Sequence, residues 1–446
     1  MITITPQLSQ LKSEFETARR WRRAHREPLQ LNDIRWEAFD RFLSLGFPTT
    51  NDPDWRFTDV APIAEKFFAL AAEADSHGKH SDIARLNLSG DLSAELIFIN
   101  GYYAASASIF PDLPADIKVQ ALSQVLDSQP ADVEPYLARI APHLRQPFGA
   151  LNTALFTDGA CILIPAHSEL KSPIHLRFIS TGEADRQPAM SHPRILIVLG
   201  EGSHAAIVEN FAGPNGIQYF TNAVTEVVLA EHANLQHYKL QCESTEAYHI
   251  GATYIAAARG ANCSAHSVSL GGGLVRNDLV ASLGGEHVEC EVNGLYVAGG
   301  ERLIDHHTRV HHGMGHSKSR QLYRGIVADN ATSVSDSKVI IAPEAQNAET
   351  DRRTRILLLS DRARIRSSSE VENAADQFSS TETMVSRHIE EEMKPYLGSQ
   401  SRREAIRSAV QTCVSDMLGQ LTFEPLAASV KQLLDQQLES IVSRLE

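Results

Sequence analysis

The sequence predicts a mainly β protein with helical ends, a solenoid core flanked by N- and C-terminal helical domains. Three observations carry that prediction. Amphipathic helix patterning is confined to the beginning of the chain, a short interlude and the stretch after about residue 385. All three tryptophans (Trp21, Trp36, Trp55) lie in the opening segment. Beyond Arg194 short β runs recur almost without a helix, each closed by a small or acidic turn.

In chain order, residues 8–24 and 36–45 carry apolar side chains at three- and four-residue intervals, the mark of amphipathic helices. A Gly46-Phe47-Pro48 break leads into Asn51-Asp52-Pro53-Asp54-Trp55, a turn-rich stretch. An N-terminal helical domain therefore covers residues 1–85. Leu96-Ile97-Phe98-Ile99 then runs as a strand into Asn100-Gly101, a good turn dipeptide. A helical interlude over 117–145 precedes strands at 160–165 and 174–178, all inside a core of residues 86–385.

Five turns in that core share one form: Leu199-Gly200-Glu201-Gly202, Leu229-Ala230-Glu231-His232, Ala257-Ala258-Arg259-Gly260, Val327-Ala328-Asp329-Asn330 and Leu359-Ser360-Asp361-Arg362. Their starts fall 30, 28, 70 and 32 residues apart, and the 70 reads as two periods with an insertion. A repeating unit of roughly 30 residues is a solenoid signature, because stacked coils bury a stripe that no single coil can bury. A β-sandwich is the competing architecture, but it rarely needs roughly 200 residues of one texture.

The last segment, 386–446, is helical again. Ile406, Val410, Val414 and Leu418 form one apolar stripe; Leu426, Val430, Leu434, Leu438, Ile441 and Leu445 form a second after Pro425, a good helix-start residue. These helices either cap the solenoid or present a groove to a partner, with Leu426, Val430, Leu434 and Leu438 as the anchors.

Composition narrows the function. Asp and Glu total 55 against 41 Lys and Arg, a net charge of −14, which opposes a nucleic-acid groove. An apolar content of 43% excludes global disorder. No apolar run approaches the roughly 20 residues that span a bilayer, and the start of the chain has no signal-peptide core, so the expected location is the cytoplasm. Arg19, Arg20, Arg22, Arg23 and Arg26 interleave with Glu14, Glu16 and Glu27 and read as a solvated helix face. The five cysteines are odd in number and scattered, giving neither a disulfide framework nor a zinc spacing; buried reduced thiols are expected.

Asp305-His306-His307-Thr308-Arg309-Val310-His311-His312, followed by His316, is the densest set of metal-ligating side chains. Neutral imidazole suits iron, zinc or copper. A strand alternates its faces, so His307 and His311 share one side while His306 and His312 share the other. That splits the cluster, and polar side chains bonded along a β ridge are the alternative. The chain has no GxxxxGK[ST], no GxSxG and no HExxH. From chemistry alone it is a binding or scaffold protein, not an enzyme.

Several stretches together resemble the SufB/SufD family of iron–sulfur cluster assembly proteins, and its SufD branch most. They are Leu45-Gly46-Phe47-Pro48-Thr49 with Asp52 and Asp54-Trp55-Arg56-Phe57-Thr58-Asp59, then Phe148, Ala150-Leu151-Asn152-Thr153-Ala154 and Thr157-Asp158-Gly159. Asp305-His306-His307-Thr308, Gln321-Leu322-Tyr323-Arg324-Gly325, Ala342-Pro343 with Ala345-Gln346, and Leu357-Leu358-Leu359-Ser360 follow in the family's order. The resemblance implies a right-handed parallel β-helix and a non-catalytic subunit of the SUF complex. It also implies a SufB-like paralogue as partner and a SufC-like ABC ATPase docked through the C-terminal domain; because solenoid ends and ridges leave unpaired backbone groups, the paralogue is expected to pair edge to edge near residues 330–375. A homodimer in isolation belongs to the same expectation. Iron or an Fe–S cluster would be a transient cargo of the complex, with nothing held stably by this chain alone.

The chain departs from the family at one place. Between matching flanks, the family's cysteine and histidine fall at Ser380 and Glu382. Either Glu382 replaces the histidine as an oxygen ligand for iron, or the paralogue alone supplies the cluster ligands. The alternative function is a β-helix polysaccharide lyase or hydrolase, the hydrolases using paired carboxylates in a surface cleft.

Overall fold

A computed structural model describes residues 6–24, 28–71, 91–110, 113–114, 116–141, 144–182, 187–397, 401–419, 421 and 423–443. Arg26, Glu27, the domain boundary near residue 85 and Leu445 lie outside the described residues.

Two helices open the chain, α1 (Pro6–Ala24) and α2 (Leu29–Leu45), followed by the single turn α3 (Ala61–Ala64) and the short strand β1 (Ala69–Leu70). Helix α2 starts well before the expected Trp36, directly after Pro28, and its early Leu31 is buried. The hairpin β2 (Ala94–Ile99) and β3 (Tyr102–Tyr103) turns at Asn100 (φ 52°) and Gly101 (φ 85°). Both central residues have positive φ, as a type I′ turn demands.

The interlude is less helical than the sequence predicts. It opens with β4 (Lys118–Ala121), continues through α4 (Leu122–Ser128) and then only turns, and the longer helix α5 (Pro147–Leu155) follows it. Strand β4 wins over helix because buried Val119 and Ala121 alternate inward and pair antiparallel with Ile162 and Ala160 of β5 (Ala160–Ile164). Strands β6 (Ile174–Ile179) and β7 (Ala189–Ser191) complete the entry.

The solenoid then winds through β8 (Arg194–Leu199), β9 (His204–Ala212), β10 (Tyr219–Leu229), β11 (Asn234–Cys242), β12 (Tyr248–Ala257), β13 (Asn262–Ser269) and β14 (Leu274–Leu283). It continues through β15 (Glu289–Ala298), β16 (Leu303–His312), β17 (Lys318–Val327), β18 (Thr332–Ile341), β19 (Ala348–Leu358), β20 (Arg364–Asn373) and β21 (Phe378–His388). Each strand pairs in parallel with the strand two places on, so the even-numbered strands build one sheet and the odd-numbered strands the other. The result is a parallel β-solenoid of about seven turns, not a sandwich.

The turn spacing has a different origin from the expected one. The turns after β8, β10 and β12 cross from the first sheet to the second, whereas those after β17 and β19 cross back. The interval from Ala257 to Val327 is therefore two and a half coils, with no insertion. At seven corners of the first kind one residue sits in the left-handed region: His167, Gly202, His232, Gly260, His287, His316 and Asn347. The N–H of each bonds the carbonyl of the next coil, as from His316 to Gln346 (2.9 Å).

Inward-facing Ile, Leu, Val, Ala and Cys side chains fill the space between the sheets, including Ile197, Ile207, Val227, Leu235, Ile255, Cys263 and Cys290. Helices α1, α2 and α5 cover the outer face of the first sheet through an aromatic core of Phe15, Phe39, Phe42, Trp55, Phe148 and Phe220. Arg22, expected on a solvated face, is instead buried and donates to the Ala154 carbonyl (2.9 Å), while Arg35 donates to the Phe156 carbonyl (2.8 Å). Both satisfy carbonyls that the end of α5 leaves without helical partners.

The C-terminal helices α6 (Ile389–Glu392), α7 (Arg402–Leu418) and α8 (Glu424–Val442) cover the outer face of the second sheet. A capping box between Ser401 and Glu404 starts α7. Helical layers thus line both flanks of the solenoid, and its two ends differ. At the entry end the antiparallel strands β3 and β4 close the two sheets. At the exit end β20 and β21 are the outermost strands, and no residue along either is buried. Capping by α7 and α8 is therefore not what the helices do.

Candidate functional site

The turn-rich segment after α2 becomes a strap across the outer face of the first sheet. Asp52 Oδ2 accepts from the Thr49 N–H (2.7 Å), and Pro53-Asp54-Trp55 forms one 3₁₀ turn that drops the Trp55 indole into the helix–sheet core, 4% exposed. The Arg276 guanidinium of β14 lies 3.7 Å over that indole. It also donates to the Asp54 carbonyl (2.6 Å) and to Asp305 Oδ2 (3.2 Å), and Nη2 donates to Asp278 (2.9 Å). Thr58 Oγ1 donates to the same Asp305 oxygen, and Arg309 Nη2 donates to Asp54 Oδ1 (2.7 Å). Two stretches remote in sequence, 54–59 and 305–309, therefore meet in one charged knot.

Asp305 is completely buried. Burial pushes its carboxyl up, but Arg276 and His307 beside it outweigh that and hold it below the usual carboxylate range. His307 Nε2 stands 3.0 Å from Asp305 Oδ1, and Nδ1 stands 3.8 Å from Asp336 Oδ1. The first contact has the distance of an ion pair without the alignment of a hydrogen bond. The knot locks strap to sheet, and its donors already hold one another.

The other histidines scatter as alternation requires. His306 points inward between the Tyr296 and Tyr323 rings (5.3 and 5.4 Å), and burial pushes it down to about 4. His312 also points inward, 2.7 Å from Ser317 Oγ and 2.8 Å from Ser319 Oγ, and is likewise pushed down to about 4. His311 is exposed on the outer face beyond His307. His316 sits at its corner, stacked on His287 at 5.0 Å. Among the described residues no three His, Cys, Asp or Glu side chains converge on a point that could hold a metal ion.

Sequence reasoning missed a polar row inside the solenoid. Glu209 Oε1 meets His237 Nε2 (2.9 Å), Glu243 Oε2 meets His249 Nδ1 (2.7 Å), and Lys239 Nζ donates to Asn277 Oδ1 (3.0 Å). All five titratable groups are buried, and burial lowers Lys239 to about 8. A Cβ on Gly251 would lie 1.9 Å from Lys239 Nζ, so glycine makes the room for that ammonium. The signal was available as His237, Lys239 and Gln241 at every second position of one strand, on the face that Leu235 marks as inward.

At the exit end, Ser380 and Glu382 share the inward face of β21 and are exposed. Glu382 Oε2 pairs with Nη2 of the buried Arg352 (3.2 Å), which sits opposite it in register on β19. Its carboxylate is thus occupied in neutralising a guanidinium. The free edges are β20 and β21, residues 364–388; β18, inside the expected 330–375, is paired on both sides by β16 and β20.

The α8 stripe faces the chain's own body. Leu426, Val430, Leu434 and Leu438 are 1%, 0%, 0% and 5% exposed, packed with Ile406, Val410 and Val414 of α7 and with Val297 and Ile326 of the second sheet. A stripe at helical spacing marks a buried face whether the covering surface is the chain's own or a partner's, and here it is the chain's own. A partner meeting α8 meets the opposite face.

Comparison with known proteins places these features. The family model described as the SUF system FeS cluster assembly SufBD core domain matches residues 178–406, and that of the SufBD protein N-terminal region matches residues 6–176. The chain is 29% identical over 411 residues to the iron–sulfur cluster assembly SufBD family protein slr0076 of Synechocystis, covering 89% of each chain. It is 24% identical over 405 residues to iron–sulfur cluster assembly protein SufD of Escherichia coli, covering 90% of this chain and 92% of that one. Against the chloroplastic protein ABCI7 of Arabidopsis thaliana the identity is 27% over 394 residues, with 87% and 81% covered.

Proposed function

The chain belongs to the SufBD family of iron–sulfur cluster assembly proteins, and from that premise we propose that it is a non-catalytic, SufD-like scaffold subunit. It pairs with a SufB-like paralogue through the exit end of its solenoid. The single observation that supports this reading most is the asymmetry of the two ends. Long strands left unpaired at a sheet edge recruit other chains unless something covers them; β3 and β4 cover the entry end, and β20 and β21 lie bare. Strand addition from a second solenoid satisfies those backbone groups.

The outer surface of the α7–α8 layer receives a SufC-like ABC ATPase, which carries the nucleotide chemistry for which this sequence has no phosphate-binding loop. Iron and the nascent cluster are cargo passed within the complex, with cluster ligands supplied by the paralogue. No helix among the described residues is long and apolar enough to cross a membrane, and the complex works in the cytoplasm.

Co-expression of the chain with a SufB-like paralogue and a SufC-like ATPase tests this. Size-exclusion chromatography with light scattering should find all three in one particle. A chain that elutes alone and depolymerises an acidic polysaccharide would replace this reading with the lyase one.

A further inference from the structure

Strand β20 carries its charges unevenly. At its far end Glu370 and Glu372 both pair with Lys338 of β18 (3.4 and 2.5 Å). At its near end Arg364 and Arg366 point outward, two residues apart on one face, and both are exposed. Arg362 precedes them on the turn, and Arg56 of the strap stands beside them, both exposed. The Phe57 ring, 36% exposed, lies between Arg56 (4.4 Å) and Arg366 (5.9 Å). Among the described residues none of these four guanidiniums has a carboxylate within 4.0 Å, although acidic residues outnumber basic ones by 55 to 41 in the chain.

In a chain with an excess of acid, unpaired arginines along one strap, turn and strand edge make a local positive field that steers an opposite charge toward them. They border the edge of β20 that lacks a neighbouring strand. We infer that this arginine–phenylalanine patch is the rim of the pairing surface and receives a cluster of carboxylates on the partner strand or the turn beside it. The inference rests on the exit-end pairing and adds the chemistry of the partner. A second copy paired antiparallel would offer Glu370 and Glu372, but both already pair with Lys338, which leaves a paralogue as the source of free carboxylates. A polyanion such as RNA would match the charge but brings no backbone to pair with β20. Charged rims act mainly on association rate and salt dependence, while the strand pairing supplies the dwell time.

The test measures binding of the full chain to the SufB-like paralogue by biolayer interferometry from about 50 to about 500 mM salt, a range over which exposed charges become screened. The unaltered chain should bind more weakly as salt rises. Arg364→Glu with Arg366→Glu should weaken low-salt binding by about tenfold or more, mostly through slower association, and flatten the salt dependence. The neutral pair Arg364→Gln with Arg366→Gln should fall between, and Arg259→Glu, on a distant corner, should match the unaltered chain. Unchanged circular dichroism shows that each variant is folded. A paralogue that binds all four forms equally at every salt overturns the carboxylate inference while leaving the pairing intact. No binding by the unaltered chain overturns both, and arginine-dependent retention on heparin with salt-independent pairing assigns the patch to a polyanion instead.

Discussion

The Leu434→Asp variant is expected to shed its C-terminal helical layer while keeping the β-rich circular dichroism of the solenoid. Leu434 is fully buried where α8 crosses α7 and the second sheet. Truncating such a leucine to alanine costs about 2–5 kcal/mol, and an aspartate adds an unpaired carboxylate in an apolar site, worth several kcal/mol more unless it takes up a proton. The solenoid interior does not depend on that helix, because its strands pair with one another and its core lies between the sheets. Limited proteolysis reads the effect: cleavage should appear in 389–443 while the β core resists. In the proposed complex, ATPase binding should be lost with the layer. Lys431→Glu, on the exposed face of the same helix, should leave the layer docked and alter only the partner contact. A folded, protease-resistant Leu434→Asp chain that had merely lost the ATPase would show that the stripe is a docking surface after all.

Asp305→Ala is expected to cost up to the ~3–5 kcal/mol of breaking a buried ion pair. It takes one of two carboxylates from the Arg276 guanidinium, 2% exposed, which keeps Asp278, and removes the acceptor of Thr58. The strap should lift, and tryptophan emission should shift to the red as Trp55 meets water. Asp305→Asn, which keeps the shape and one acceptor oxygen, should lose less. The pH dependence separates two contributions. The Asp305 carboxyl is depressed in the fold, so its stabilisation is present above the unfolded value near 3.8 and disappears as pH falls through the lower folded value. His306 and His312 are depressed from 6.5 to about 4, so the unfolded chain binds their protons first. Stability therefore falls between pH 6.5 and 4 by up to ~1.4 kcal/mol per pH unit for each histidine. Asp305→Ala should flatten the loss below pH 4 and, by removing the charge that holds His306 up, carry the histidine limb to slightly lower pH. Urea unfolding curves across that range, with equal slopes for both chains below pH 4, would contradict the charged-knot account.

The solenoid was legible because short β runs and their turns recur at roughly one coil's length, about 30 residues, over a long stretch of one texture. Coil geometry was not, since turns from opposite corners look alike in sequence: Ala258-Arg259-Gly260 and Ala328-Asp329-Asn330 share small and charged residues but sit on opposite sides of the stack. Histidine placement followed from period two alone, with His306 and His312 inward and His307 facing out. What period two cannot supply is partnership across distance. Nothing local to Asp54 or Thr58 announces Asp305, and nothing local to Glu382 announces Arg352, because those contacts depend on which coil passes underneath. The α8 stripe shows the same limit from the other side, its burial being visible in the spacing and its covering surface not.

The central claim is that the exit end of the solenoid is a pairing surface. Hydrogen–deuterium exchange over residues 364–388, in the chain alone and with the SufB-like paralogue, tests it most directly. The account predicts fast exchange at the outer amides of β20 and β21 in the isolated chain and strong protection of the same amides in the complex. Protection confined to α1 and α2, with 364–388 exchanging as before, would contradict it.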